Sequence, residues 1–391
     1  MPTLRTLKLS LLNVTRATGV FRLVRNTRWR DEQLLIICYH GVSIDDEHEW
    51  APGLYMTPEG LAGRFELLRR RRCTVLPLDE AVRRLHEGAL PPRSVALTFD
   101  DGNFDFYSRA WPLLKAYNLP ATVYLTTFYC ETNLPIFPLV VSYMLWKRRG
   151  FEFSFPLSSR GDITLDTRSA EGRRQAQQTL VRFAQVEKLS AKEQDALAGR
   201  VADAVGVDYA EIKRKRLIHL MNPEEVREVA AGGVDIQLHT HRHRSPPDEE
   251  RYRAEIATNR DRIVALIGAT PRHFCYPSGV WMPHFSKWLG EEGVLSATTC
   301  EPGIATGRND RFRLPRLLDH SEVTPIEFDS WLCGLGAVLP RRPLVSPAID
   351  ADGKPLLGQL SSTLVPAAES RVYQAPTDES ATISTEHSIE R

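Results

Sequence analysis

The chain has 391 residues, of which 42% are hydrophobic and 25% charged, and its 50 basic and 49 acidic residues give a formal net charge of +1. This balance predicts no nucleic-acid partner, because proteins that bind nucleic acid usually carry a broad basic surface. A chain of this length can bury one large hydrophobic core or two smaller ones.

Cysteine usage and the short apolar segments predict where the protein resides. The six cysteines occur singly, without Cys-x-x-Cys pairs, at Cys38, Cys73, Cys130, Cys275, Cys300 and Cys333. Isolated cysteines in a long chain are typical of buried small side chains rather than of a disulfide framework, which favours a reducing compartment. The interrupted apolar run Leu9–Val14 is too short for a secretory signal, and Phe137–Trp146 is too short to span a bilayer. We therefore expect a soluble, cytoplasmic protein.

Residues 1–32 form a basic arm that carries no acidic residue before Asp31. Its apolar residues recur at roughly helical spacing, at Leu4, Leu7, Leu11 and Val14. One interpretation is a helix that lies on an anionic membrane surface, which would make peripheral contact at the inner face of the membrane. The other is an ordinary helix that packs against the rest of the domain. The sequence leaves both interpretations open.

From residue 33 onward, apolar runs that end at polar clusters alternate with segments of helical spacing. The predicted strands are Leu34–Tyr39, Val95–Phe99, Ala121–Thr126, Val234–Leu238, His273–Tyr276, Val294–Thr299 and a late strand at Leu314–Arg316. Helices are predicted around 61–68, 110–117, 222–232, 248–267 and 285–289. Repeated βα units of this kind imply a largely parallel sheet, either open or closed into a barrel. In barrel folds the loops after the strands carry the chemistry.

The alternation is interrupted between residues 131 and 216. Two polar amphipathic helices are predicted there, at 169–187 and 190–206, and a Ser190…Glu193 capping box opens the second. One interpretation of this helical insertion is a lid. The resulting organisation is a basic arm at 1–32, barrel segments at 33–130 and 217–340, the insertion at 131–216, and a tail at 341–391. The tail is rich in Pro, Ser, Thr and Glu, which predicts disorder.

An aspartate pair follows the second long predicted strand. Asp100 and Asp101 precede Gly102, which permits a tight turn. Neighbouring residues that leave a strand can point in different directions, so one carboxylate can bind a metal ion while the other faces substrate. A cation between two close carboxylates removes much of their mutual repulsion. Taken alone, the same three residues could also form a turn or cap a helix.

A histidine cluster follows another predicted strand, which should end on the same face of the sheet. His239 and His243 are four residues apart, so both imidazoles can reach one cation. Two histidines and one carboxylate form a common catalytic zinc set that leaves a coordination position open. His241 is expected to point away and to be structural. Alone, the cluster could be an exposed basic loop, but the aspartate pair strengthens the metal interpretation.

The motif Thr98–Gly102, together with His239 and His243, resembles the polysaccharide deacetylases of carbohydrate esterase family 4. The resemblance covers about 33–128 and 217–335. It implies an α/β fold, a distorted (β/α) barrel, and the removal of acetyl groups from amino sugars. It also implies that Asp100 is the catalytic base. By the same resemblance Asp101, His239 and His243 are the ligands of one divalent metal ion, for which we expect zinc.

The third motif of that family resembles Cys275–Gly279 in this chain. The resemblance implies that the backbone amide of Ser278 donates a hydrogen bond to the oxyanion that develops on the acetyl group. Tyr276 and Pro277 are expected to contact the substrate. His40, in the early Tyr-His-Gly-Val segment, is expected to line the same pocket.

Two departures from the commoner family pattern lead to further predictions. Cys275 occupies the place of an arginine that usually tunes the catalytic aspartate, and the usual acidic fourth motif is not recognisable. Arg316 and His320, with the early segment around His40, resemble the exopolysaccharide-modifying branch of the family. We expect Arg316 to lie close to Asp100 and replace the missing charge. His320 is either the acid that protonates the leaving amine or an ordinary loop histidine.

These observations predict a hydrolase of carbon–nitrogen, non-peptide bonds. Its expected substrate is an N-acetylated carbohydrate, either an amino-sugar polysaccharide or a lipid-linked precursor of one. A deformylase or amidase that acts on another small or lipid-linked amide is the first alternative. A catalytically inactive carbohydrate-binding barrel is the second.

Overall fold

Residues 4–25, 27–158 and 161–338 are described by a computed structural model in which short strands alternate with helices. Its strands are β1 Gln33–Tyr39, β2 Gly41–Val42, β3 Tyr55–Met56, β4 Thr74–Val75, β5 Ser94–Phe99, β6 Thr122–Leu125, β7 Glu152–Ser158, β8 Gly161–Asp166, β9 Asp235–Leu238, β10 His273–Cys275, β11 Ser296–Pro302, β12 Ala305–Thr306 and β13 Leu314–Leu318. Its α-helices are α1 Leu4–Ala17, α2 Val20–Arg25, α3 Glu47–Trp50, α4 Pro58–Arg70, α5 Leu78–Glu87, α6 Trp111–Tyr117, α7 Thr127–Thr132, α8 Phe137–Lys147, α9 Ala170–Val186, α10 Ala191–Val205, α11 Tyr209–Lys215, α12 Pro223–Ala231, α13 Glu249–Ile267, α14 Phe285–Glu291, α15 Pro325–Leu332 and α16 Leu335–Val338.

Seven parallel strands close into a barrel. Their order is β1–β5–β6–β9–β10–β11–β13, and β1 pairs with both β5 and β13 to complete the ring. β4 extends the sheet beside β5 in parallel, whereas β12 pairs with β1 in antiparallel orientation. This arrangement confirms the predicted (β/α) barrel and resolves the choice between an open and a closed sheet. The carboxyl ends of all seven strands therefore meet at one end of the barrel.

The barrel strands are buried on both faces, which explains why they appear in the sequence as continuous apolar runs. In β1, alternate residues point to opposite sides of the sheet. Leu34 and Ile36 belong to a cluster with Tyr124, Cys275 and Leu314 from other strands and with the apolar side of α5. Leu35, Ile37 and Tyr39 pack in a separate, larger cluster with the surrounding helices.

The insertion has a hydrophobic core of its own. This core joins the apolar residues of α8 to those of α9, α10 and the antiparallel hairpin β7–β8. The two predicted helices are confirmed as Ala170–Val186 and Ala191–Val205, and the Ser190–Glu193 capping box is present. The sequence prediction missed α8, α11 and the hairpin.

Polar contacts attach the insertion to the segment 43–54, between β2 and β3. The indole of Trp50 donates a hydrogen bond to the hydroxyl of Ser142 at 3.3 Å. The hydroxyl of Tyr143 donates to Asp46 at 2.6 Å. A salt bridge of 2.8 Å joins Lys215 to Asp45. The insertion thus supports a loop of the barrel, while its role as a lid stays a prediction.

The arm contains two helices, and one face of them packs on the barrel. Leu12 and Phe21 are buried against Ile326 and Cys333 near the end of the described chain. The packed-helix interpretation is therefore confirmed for this face. No helix in the described ranges is long and apolar enough to cross a membrane. The predicted disordered tail at 341–391 lies outside the described residues.

A buried ion pair connects α4 to the end of β13. The guanidinium of Arg64 donates to both carboxylate oxygens of Asp319, with Nε–Oδ2 at 2.9 Å and NH2–Oδ1 at 3.1 Å. Both side chains are buried. Arg64→Met should lower the free energy of unfolding by about 3–5 kcal/mol, because the carboxylate is left buried without its partner. Urea denaturation of the purified protein measures this loss.

Arg69→Met on the same helix is the matched control, since Arg69 is largely exposed and pairs with Glu66 at the surface. It should change the unfolding free energy by less than about 1 kcal/mol.

Burial raises the pKa of Asp319 to about 6 although Arg64 opposes the shift. The free energy of unfolding therefore falls as pH rises from the unfolded pKa of Asp319 through 6, because the buried carboxyl group must ionise. Without Arg64 the pKa of Asp319 is higher, so this fall extends to higher pH. The Arg64→Met effect should be larger at pH 8 than at pH 5; equal effects would contradict this account.

Candidate active site

The aspartate pair leaves β5 through a tight turn that separates the two carboxylates. The amide of Asp100 donates to the carbonyl of Tyr39 at 2.9 Å, so the ladder with β1 extends to this residue. Asp101 and Gly102 then adopt positive φ angles of 72° and 83°. A Cβ atom on Gly102 would lie 2.4 Å from the side chain of Leu125, so a larger residue would have to displace that buried side chain. As a result Asp100 is buried, whereas 26% of the Asp101 side chain is exposed.

His239 and His243 converge on the exposed aspartate. The Nε2 atom of each imidazole lies 3.2 Å from Oδ1 of Asp101. One donor atom from each of the three residues lies within 4.8 Å of the other two. Thr240 and His243 have positive φ angles of 61° and 55°, so the backbone adopts an unfavourable conformation to bring the imidazoles together. Such strain concentrates at functional sites.

The surroundings of this triad fit a divalent metal ion. The second ring nitrogen of His239, Nδ1, donates to the carbonyl of Cys275 at 2.8 Å, which directs Nε2 towards Asp101. Burial would raise the pKa of Asp101, but hydrogen bonds from both histidines hold it well below its usual range. Two imidazole nitrogens and one carboxylate oxygen are donors that zinc prefers. The 33% exposure of the His243 side chain leaves one side accessible to a ligand.

A buried asparagine that the sequence analysis missed holds the histidine segment in place. Asn259 of α13 accepts from the amide of His239 at 3.0 Å. Its amide group donates to the carbonyl of Leu125 at 3.0 Å and to the hydroxyl of Thr127 at 3.1 Å. His241 is also buried, with Nδ1 2.9 Å from the same hydroxyl group. The placement of His241 agrees with the structural role expected for it.

Arg316 lies where the sequence analysis placed the missing positive charge. Its guanidinium donates to both oxygens of Asp100, each at 2.8 Å, and both side chains are buried. Further hydrogen bonds run to the hydroxyl of Thr98 at 3.2 Å and to the carbonyl of Thr299 at 3.0 Å. Burial would raise the pKa of Asp100, but the charge and hydrogen bonds of Arg316 hold it below its usual range. Asp100 is therefore ionised at neutral pH.

Two thiols complete the surroundings of Asp100. The Sγ atoms of Cys38 and Cys275 lie 3.4 Å and 3.5 Å from Oδ2 of Asp100. Burial raises the pKa of both thiols well above its usual value, so they act as neutral donors. These residues also form groups of potential metal donors with Asp100, His40 and His239. A cation there would face the guanidinium of Arg316, so the exposed triad is the better metal site.

Two more histidines, His40 and His320, were predicted to belong to the site. Nε2 of His40 is 3.7 Å from Oδ2 of Asp100, and 19% of the His40 side chain is exposed, as a pocket-lining residue requires. Nδ1 of His320 is 3.1 Å from the carbonyl of Pro52, within the segment 43–54. Burial lowers the pKa of His320 to about 4. His320 is thus neutral at pH 7 and must take up a proton before it can act as an acid.

The third motif forms a turn whose central residue is Ser278. Ser278 has a positive φ of 54°, and no acceptor for its amide N–H occurs among the residues that the structure describes. The amide is therefore available to a ligand. The expectation for Tyr276 is wrong, because its ring is buried in the core and its hydroxyl donates to the carbonyl of Phe312 at 3.0 Å. Pro277 is also buried, so this expectation is corrected too: both residues support the turn.

A cavity of about 290 Å³ lies between the insertion and the histidine loop. Its lining includes Phe128, Tyr129, Tyr209, Arg242 and Arg244. The two arginines flank His243 in the chain, so the cavity borders the loop that carries this histidine. A cavity of this size with aromatic and polar walls can accept a small polar ligand.

Parts of the chain are similar to known proteins. The profile of the family described as polysaccharide deacetylase matches residues 87–155 and 191–294. A poly-beta-1,6-N-acetyl-D-glucosamine N-deacetylase of Staphylococcus epidermidis is 33% identical over 72 residues, which are 18% of this chain and 25% of the relative. The Escherichia coli K12 protein of the same name is 34% identical over 96 residues, 24% of this chain and 14% of the relative. The chain thus spans a quarter or less of these relatives.

Solved structures with similar folds include the Streptococcus pyogenes deacetylase PplD in complex with acetate. It has a TM-score of 0.49 and 17% identity, over 75% of this chain and 95% of that protein. IcaB from Ammonifex degensii has a TM-score of 0.47 and 18% identity, over 78% and 97% of the two chains. The family profile matches both segments that carry the Asp-Asp and His-x-x-x-His motifs of the closed barrel. The chain therefore contains a polysaccharide deacetylase domain, which the family profile matches over these two segments.

Proposed function

We propose that the protein removes N-acetyl groups from an amino-sugar polysaccharide or from its lipid-linked precursor. The observation that carries this proposal is the position of an accessible Asp–His–His triad next to a buried, ionised aspartate. The two bacterial relatives are named as poly-beta-1,6-N-acetyl-D-glucosamine N-deacetylases, which supports a polymer of N-acetylglucosamine as the substrate class.

Asp101, His239 and His243 would hold one divalent metal ion, for which zinc is proposed. Such an ion supplies Lewis-acid polarisation of the acetyl carbonyl and lowers the pKa of water. Three protein donors leave room for water and substrate. Water and substrate can both reach this position from the exposed sides of Asp101 and His243.

The buried aspartate is proposed as the base that takes a proton from the attacking water. The two hydrogen bonds from Arg316 keep Asp100 ionised and fix the plane of its carboxylate. This guanidinium also weakens the base, so orientation rather than high basicity is its contribution. His40, whose Nε2 atom is 3.7 Å from one oxygen of Asp100, would adjoin a water molecule bound to that carboxylate.

Charge that develops on the acetyl oxygen requires a donor, and the free amide of Ser278 can supply it. When the carbon–nitrogen bond breaks, the leaving amine needs a proton. His320 is proposed to deliver this proton after it has taken one up, since the resting imidazole is neutral. Its contact with Pro52 leaves the other ring nitrogen, Nε2, for this transfer.

The metal assignment predicts a defined stoichiometry. Purified protein should contain about one divalent ion per chain, and the double variant His239→Ala/His243→Ala should contain none. Losing two of three ligands leaves only one protein bond to the ion. His86→Ala, which alters an exposed histidine far from the triad in sequence, is the control and should keep full occupancy. Full occupancy in the double variant, measured by elemental analysis, would refute the assignment.

Separate roles of the two aspartates predict different defects. Asp100→Asn should keep the metal ion and lower kcat by roughly 10²- to 10⁴-fold, the usual contribution of a general base. Asp101→Asn should lose metal and activity together. Equal metal loss in both variants would show that the roles are wrongly assigned.

Folding needs its own control, because Asp100→Asn leaves the Arg316 guanidinium buried and unpaired. The double variant Asp100→Asn/Arg316→Met removes that unpaired charge and should regain stability relative to Asp100→Asn. It should remain inactive if Asp100 is the base. Recovery of activity together with stability would show that Asp100 has only a structural role.

Product analysis distinguishes this function from the alternatives. Incubation with β-1,6-linked N-acetylglucosamine oligosaccharides should release acetate, and a chelator should abolish the release. An N-formylated analogue tests the deformylase, since formate would then be the preferred product. Oligosaccharide binding without any hydrolysis of these amides would indicate an inactive barrel and refute the proposal.

A further inference from the structure

Exposed apolar side chains are concentrated in the N-terminal arm. Among the described residues, nine large hydrophobic side chains are strongly exposed, and five of them lie between residues 7 and 29. These five are Leu7 at 54%, Leu11 at 50%, Val14 at 57%, Leu23 at 68% and Trp29 at 40%. The other four are scattered over the rest of the protein. A cluster of this kind indicates an interaction surface.

Helix α1 has an apolar stripe in addition to the face that packs on the barrel. Leu12 is buried, and a salt bridge of 3.3 Å between Lys8 and Glu327 fixes the helix on α15. Leu7, Leu11 and Val14 have the i, i+4, i+7 spacing of one helical face and remain half exposed. We call these three residues the outer stripe. Since the barrel is already packed against Leu12, folding does not require the outer stripe.

The charged residues that α1 and α2 themselves carry are all positive. Arg5, Arg16, Arg22 and Arg28 are exposed, and residues 1–30 contain no acid. In the described part of the chain Arg28 pairs with Asp31, whereas Arg16 and Arg22 have no acidic partner. Apolar side chains flanked by arginines are complementary to a bilayer that contains anionic lipids.

We propose that α1 and α2 bind the protein to an anionic lipid bilayer, with the outer stripe and Leu23 inserted at headgroup level. A second copy of the chain is a less suitable partner for this surface than a bilayer. Two such arms would bring arginines of the same sign together, which opposes association. The proposal concerns attachment and does not depend on the deacetylase activity.

The position of the arm relative to the site gives this attachment a consequence. Arg5 donates a hydrogen bond to the carbonyl of Glu322. Glu322 follows His320 by two residues, in the loop after β13 at the carboxyl end of the barrel. The start of α1 therefore adjoins the end of the barrel that carries the candidate site. Attachment through α1 would hold that end close to substrates located at the membrane surface.

Vesicle sedimentation with the full chain tests the proposal directly. The protein should bind vesicles of equal parts phosphatidylglycerol and phosphatidylcholine, and should not bind pure phosphatidylcholine. The triple variant Leu7→Ser/Leu11→Ser/Val14→Ser should bind more than roughly 10-fold more weakly, because it loses three apolar side chains from the interface. Val186→Ser/Leu295→Ser, which alters two exposed apolar residues elsewhere, is the matched control and should bind normally.

A charge variant tests the electrostatic part. Arg16→Gln/Arg22→Gln should weaken binding by roughly 10- to 30-fold at low salt, since each arginine near an anionic surface contributes about fivefold or more. Arg182→Gln/Arg227→Gln, which removes two exposed arginines from other helices, should leave binding unchanged. High salt should release the wild-type protein.

Three outcomes would overturn the proposal: no wild-type binding to the anionic vesicles, unchanged binding of the triple variant, or a solution dimer that the triple variant dissociates. The last result would assign the outer stripe to a second copy. Binding is measured without substrate, so an inactive protein that still binds vesicles would refute the proposed function alone. All arm variants should retain wild-type activity on soluble oligosaccharides.

Discussion

The candidate site depends on one buried ion pair, between Asp100 after β5 and Arg316 on β13. Burying two charges is costly unless the pair is well oriented and its other hydrogen-bonding groups are satisfied. Here the guanidinium binds both carboxylate oxygens and, in addition, Thr98 and Thr299. In the sheet order, β5 and β13 are separated only by β1, which pairs with both. An open sheet without this closure would leave them far apart, so the barrel itself assembles the site.

The other parts of the site are supported in the same way, from several elements at once. The triad draws Asp101 from the β5 turn and its histidines from the loop after β9, while β10 supplies the carbonyl that orients His239. The insertion acts from outside the barrel. It holds the segment 43–54, whose Pro52 carbonyl contacts His320. The insertion therefore has a supporting role at the site whether or not it also moves as a lid.

The sequence predicted the barrel strands because strands buried on both faces are continuous apolar runs. It placed Arg316 beside Asp100 because Cys275 stands where the resembled family usually has an arginine. It missed the hairpin β7–β8, although Phe153, Phe155 and Leu157 alternate with other residues in the two-residue period of a strand. Asn259 could have been found from the buried face of α13, which it shares with Ile256 and Ile263. Its hydrogen-bond partners, however, come from two distant segments, around Leu125–Thr127 and at His239, that no local pattern connects. Cys275 faces the barrel interior, so the side chains of its neighbours Phe274 and Tyr276 face the outer core. For this reason the assignment of Tyr276 to the substrate pocket was wrong.

The central claim is that the metal ion binds the exposed triad and leaves Asp100 free to act as a base. Anomalous X-ray diffraction at the zinc edge, from crystals of the zinc-loaded protein, tests it most directly. The account predicts one anomalous peak about 2.0–2.2 Å from Asp101, His239 and His243, with Asp100 still bound to Arg316. A peak bonded to Asp100, together with Cys38 and His40 or with Cys275 and His239, would contradict it.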